Sequence, residues 1–130
     1  MTFRSRRSLL FCAAFAVVAA GGLSAHHSFD AEYDSKRPIT VTGYVTKLDW
    51  INPHAYVYLD VKDAGQTTNY RIEMGPPYAL VRGGWKRDTI KIGDQITVNG
   101  AALAKDGSHT AGSMQTTSMT LTSGQKLVMR

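Results

Sequence analysis

The sequence predicts an all-β domain with one short helix, built as a small OB-like barrel of five to six strands, with a β-sandwich or an open roll as the competing architectures. Three observations lead there. Alternating runs rich in β-branched residues recur from Ile39 to Met129, the pattern of half-buried strands. One stretch alone, Pro76 to Gly84, carries helix punctuation. That stretch divides three strands from two or three, which is the OB order of elements.

Residues 26–38 are polar, show no period, and read as an N-terminal segment ahead of the domain at 39–130. Ile39–Leu48 (ITVTGYVTKL) alternates and is the first strand. Asn52-Pro53 interrupts the chain, and His54–Lys62 (HAYVYLDVK) is the second strand. Asp63-Ala64-Gly65-Gln66 supplies a hairpin turn, with a glycine free to take positive φ, and Thr67–Met74 returns as the third. Gly75-Pro76-Pro77 stops the sheet, because proline lacks the donor that the ladder needs. A proline suits the first helical position and glycine the end, so a short helix runs through Tyr78, Leu80 and Val81 to Gly83-Gly84. Gly93-Asp94 then opens a fourth strand, Gln95–Ala104. Asp106-Gly107 turns it into a fifth, roughly Thr110–Thr122, and Ser123-Gly124 leads into Gln125–Met129. The apolar positions of these strands give a core of Ile39, Val41, Val45, Val57, Leu59, Tyr70, Ile72, Ile96 and Val98. Trp50 and Trp85 fall just outside the elements, where a tryptophan commonly plugs a barrel end.

Residues 1–25 read as a cleaved export signal. Arg4, Arg6 and Arg7 precede an apolar stretch, Leu9–Ala20, too short to span a bilayer comfortably, and Leu23-Ser24-Ala25 offers a cut after Ala25. Ala20 and Gly22 are alternative cut points. Ser5-Arg6-Arg7-Ser8-Leu9-Leu10 fits a twin-arginine signal and an ordinary secretory leader equally. The expected location is periplasmic or secreted, with no membrane span in the mature protein. The whole chain has a net charge of +5, with 15 basic and 10 acidic residues. Three of the arginines leave with the leader, and what remains carries +2 without a basic run. Nucleic-acid binding, which needs clustered cations to displace counterions, is excluded on that ground. Cys12, inside the leader, is the sole cysteine. Disulfides, zinc–thiolate sites, iron–sulfur clusters and thiol catalysis therefore fall away for the mature chain.

His26-His27-Ser28-Phe29, Trp50-Ile51-Asn52-Pro53-His54, Gly84-Trp85 and Gly93-Asp94 occur in that order. Together they resemble the small exported bacterial proteins grouped as domain of unknown function 6152 (DUF6152). The resemblance spans essentially the whole chain after the leader and implies an extracytoplasmic β domain. It implies no activity and no functional residue.

Two candidate sites follow from the residues themselves. The first is a metal site of His26, His27, His54 and His109. Imidazoles bind copper well, and a free amine beside a histidine closes a chelate ring. A cut after Ala25 gives His26 both groups, as in a histidine brace. A cut after Ser24 makes the start Ala-His-His, an amino-terminal copper(II) pattern. The plainer reading is that terminal histidines are solvated and that His54 hydrogen-bonds the Asn-Pro turn. Met114 and Met119 suit Cu(I) but equally fill a core. The second candidate is a surface. The period of two puts His54, Tyr56, Tyr58 and Asp60 on one face of the second strand, with Asn69, Arg71 and Glu73 beside them on the third. Trp50, Tyr56, Tyr58 and Arg71 could stack on a saccharide or a partner protein, or simply hold the sheet together.

Other chemistry is poorly provided for. Asp30-Ala31-Glu32-Tyr33-Asp34 begins like a calcium loop, but Ser35 and Val41 stand where glycine and the closing glutamate belong. There is no nucleophile elbow, phosphate loop or HExxH motif, and Ser28, His27 and Asp30 are together in sequence only. The functional expectation is a small binding protein that holds copper through a histidine N-terminus. A metal-free interaction module on the tyrosine face and a copper-dependent oxidative enzyme are the alternatives.

Overall fold

The first strand starts six residues earlier than its β-branched run indicates. In the computed structural model, which describes residues 28–130, β1 spans Tyr33–Asp49 rather than Ile39–Leu48. The added residues are mostly exposed and polar, so no periodicity marks them. What makes them strand is pairing with the end of β4 (Gln95–Ala104), Tyr33 opposite Ala104 and Asp34 opposite Leu103. Between Asp34 and Pro38 the register slips, and the Asp34 carboxylate accepts the Lys36 amide at 3.0 Å. Residues 28–32 form a short helical turn ahead of the strand.

β1 changes partner partway along. Its first part, Tyr33 to Tyr44, pairs with β4, and Tyr44 to Asp49 pairs with β2 (Tyr56–Asp63). Gly43 sits at the crossover: a Cβ there would stand 2.7 Å from the Asp60 carbonyl oxygen. The Ala64-Gly65 hairpin, both residues at positive φ, turns β2 into β3 (Gln66–Glu73), with Tyr56 opposite Glu73. The helix, Pro77–Arg82, has proline at its start and Gly83 at its C-cap, as expected.

β4 repeats the device of changing partners. Gly100, at φ 75°, is skipped in the ladder between Ala101 and Asn99, a bulge that glycine tolerates best. Before it β4 pairs with β6 (Ser118–Thr120), and after it with β5 (Thr110–Gly112). A single fifth strand over Thr110–Thr122 is therefore corrected to two. The chain leaves the sheet at Ser113, and Thr117 anchors the detour by donating to the Gly100 carbonyl at 2.7 Å. β7 (Lys126–Val128) adds to β6.

The strands β1-β2-β3-β5-β4 close a ring back on β1, with β3 and β5 parallel. This is the OB order. Inside it lie Val45, Val57, Leu59, Ile72, Ile96 and Val98, all buried, while Ile39, Val41 and Tyr70 pack against them half-buried. Met74, Leu80, Trp85, Ile90, Met119 and Met129 complete the core from the connections and the last strands. Trp85 is a plug as expected: it is 1% exposed, and its indole N–H donates to the Val128 carbonyl at 2.7 Å. Each such side chain stabilises the fold by about 1.5–3 kcal/mol. Among the described residues no buried side-chain polar atom lacks a partner, and no helix is long and apolar enough to cross a membrane.

Candidate functional site

Glu73, at the end of β3, is the group on which the outer face converges. Its position follows from the hairpin: tight pairing from Asp63–Gln66 onward carries the register to Tyr56–Glu73 and turns the Glu73 side chain outward with Arg71 and Asn69. One carboxylate oxygen lies 2.5 Å from His54 Nδ1, and the other accepts the Tyr33 hydroxyl at 2.7 Å. A carboxylate can only accept, so it favours the His54 tautomer that carries its proton on Nδ1. A neutral His54 then presents the Nε2 lone pair. The Glu73 side chain is 16% exposed and that of His54 is 40% exposed, so the acid is sheltered and the imidazole reaches solvent. His54 follows the cis Asn52–Pro53 peptide.

Tyr33 reaches this point because the N-terminal residues lie over the sheet. Tyr33 and Phe29 meet at 4.9 Å between ring centroids and share a second small cluster with Ala102, Ala104 and Met114. Small residues make room for the rings. A Cβ on Gly112 would come within 2.7 Å of both rings. The Arg130 guanidinium lies 5.1 Å from the Phe29 centroid and donates to the Ser113 carbonyl at 2.7 Å, so the chain's last residue clasps its first described ones. Burial, and then the hydrogen bond to Glu73, push the Tyr33 phenol far above its ordinary value. Burial and the Glu73 charge raise Tyr56 as well. Both stay neutral, and Tyr33 remains a donor.

Along the same face the tyrosines are already engaged. Arg71 lies over Tyr56 at 4.0 Å, and Lys47 over Tyr58 at 5.0 Å. Asn69 donates to Asp60 at 2.8 Å and to Thr46 at 3.2 Å. These are cross-strand contacts that stabilise a sheet. Trp50 packs half-buried against the core, apart from these rings.

The expected metal ligands are placed unequally. His26 and His27 lie outside the described residues. His109 is exposed and meets the Tyr70 ring edge-on at 5.2 Å. His109 is level with Arg71 through the bond from the Arg71 amide to its carbonyl, whereas Ala55 exchanges bonds with Met74 and Gly75. His54 and His109 are thus about 13 Å apart along β3 at ~3.3 Å per residue, beside side chains of opposite faces. The structure does not bring them together. Met119 is fully buried and Met114 packs in the small cluster. Among the described residues no three His, Cys, Asp or Glu side chains gather as a metal site. The hairpin register was enough to set Glu73 on the face, but nothing local marks it as the partner of His54 or of Tyr33, 40 residues away.

Fold and site define a small OB-like β domain with a carboxylate-held histidine on its outer face. The chain belongs to the family of unknown function DUF6152, whose family model matches residues 14–114. No curated protein and no solved structure matches it.

Proposed function

We propose that the protein is a small periplasmic or secreted copper-binding protein, its ligands the His26–His27 pair at an N-terminus exposed by export, together with His54. The observation that carries this reading is the Glu73–His54 contact at 2.5 Å. A carboxylate that fixes Nδ1 and leaves Nε2 open is the arrangement that orients and strengthens metal-ligating histidines. A second observation supports it. Tyr33 holds the same carboxylate and packs on Phe29, which follows His27 by two residues in the chain. His109 has no part in the set.

The test is Cu(II) titration of the protein in the form the cell exports, after mass spectrometry of its N-terminus. A start at Ala25 or His26 is expected. His54→Ala should weaken binding, and Glu73→Gln should weaken it by about 10- to 100-fold, the usual effect of losing such a supporting carboxylate. His109→Ala should change nothing. A start elsewhere, or affinity indifferent to His54, overturns the reading.

A further inference from the structure

The connection between β3 and β4 crosses one end of the ring and has two unlike sides. Met74, Leu80, Trp85 and Ile90 point into the ring and are at most 4% exposed. Tyr78, Val81 and Ile92 stand at 63%, 56% and 76% exposure, pointing away from the core that the others fill. Tyr78 and Val81 lie three residues apart on one face of the helix. Ile92 occupies a closed turn, in which Asp94 accepts the Lys91 amide at 2.9 Å and returns its own amide to the Lys91 carbonyl at 3.0 Å. The turn holds that side chain outward.

The same segment concentrates the charge. Residues 74–94 carry Arg82, Lys86, Arg87 and Lys91 against Asp88 and Asp94, a net +2. The other residues from Ser28 onward carry eight basic and eight acidic side chains and balance. The excess positive charge of the described domain therefore lies on this connection, the segment that also carries its most exposed large apolar side chains. Arg82 lies over Tyr78, 5.5 Å from the ring centroid, an aliphatic stem along an aromatic ring with its charge at the rim.

We propose that this end of the ring is a docking plate for an anionic lipid surface. Ile92, Tyr78 and Val81 would enter the headgroup boundary, while the four cations pair with lipid phosphates. Apolar side chains surrounded by basic ones are what peripheral membrane binding requires. A tyrosine suits headgroup depth because one end of its ring is apolar and the other polar. The opposite end of the ring, at the Ala64-Gly65 hairpin, would face away.

The test uses the protein in the form the cell accumulates, its N-terminus read by mass spectrometry, with phosphatidylglycerol and phosphatidylcholine vesicles. Expected are co-sedimentation with the anionic vesicles only, weakening in high salt, and vesicle-dependent hydrogen-exchange protection over residues 78–92 but not at the 62–67 hairpin. Lys86→Glu with Arg87→Glu should lower partitioning by about tenfold or more, since each cation near such a surface is worth several-fold. Ile92→Ser should lower it too. All three side chains are exposed, so an unchanged melting temperature verifies the fold. Equal binding to both lipids, charge reversal without effect, or protection elsewhere overturns the proposal. So does capture of an acidic protein in a charge-dependent way without vesicle binding, which would assign the plate to a protein partner.

Discussion

At the scale of the residue, Tyr33 is the most informative side chain. It is 2% exposed, donates to Glu73, and has its phenol pushed well above the ordinary 10.0 by burial and that bond. The folded chain keeps this proton at a pH where the unfolded chain releases it. The contribution to stability is therefore intact below about pH 10 and drains away as pH rises further. Tyr33→Phe should cost about 1–3 kcal/mol at neutral pH, the range for a lost bond to a charged group. It should also make the alkaline fall in stability shallower, though not flat, since Tyr56 is raised as well. Urea unfolding at neutral and alkaline pH measures both, and an alkaline fall identical to wild type would refute the assignment. His54 and Glu73 were legible in the sequence as members of one face, because strand parity sets faces. Their pairing was not, because it depends on the backbone path through Asn52–Pro53. Tyr33 was invisible: a single aromatic in a polar stretch has no period.

At the scale of the element, two glycines decide where strands change partner. Gly43 is needed for space and not for φ, since an added Cβ would strike the backbone oxygen of Asp60 at 2.7 Å. Backbone cannot swing aside as a side chain can, so Gly43→Ala should cost about 1–3 kcal/mol, the scale of overpacking, read as a lower urea midpoint with an unchanged slope. A midpoint equal to wild type would show that the bend relaxes freely. The second and third strands were placed to within two residues and Gln95–Ala104 matches β4 end for end, whereas β1 begins six residues ahead of its alternating run. The three-residue strands β5, β6 and β7 are too short to show a period, which is why Thr110–Thr122 reads as one strand.

At the scale of the whole molecule, the chain's end locks the fold. Leu127 is 8% exposed and Met129 fully buried. Met129 also accepts the Gly75 amide at 2.7 Å and donates to Thr117 at 3.0 Å. Arg130 packs on Phe29, so removal should loosen both the core and the N-terminal residues over Gly112. Truncation after Gly124 forfeits about 3–6 kcal/mol from those two side chains alone, against a total stability of about 5–15 for a domain. The expected outcome is a chain that has lost its cooperative thermal transition in calorimetry. A truncated protein that melts like wild type would refute the latch.

The amino-acid sequence by itself determined the class, the helix, the long strands and the branched aliphatic core positions on them, because alternation, proline and glycine act over neighbouring residues. The tertiary structure alone decided the closure of the ring, the meeting of Tyr33, His54 and Glu73, the separation of His109 from His54, and the clasp between Phe29 and Arg130. Each of these joins segments far apart in the chain. Contacts of that kind arise from register, bulges and matching side-chain volumes across strands, and no local pattern encodes them.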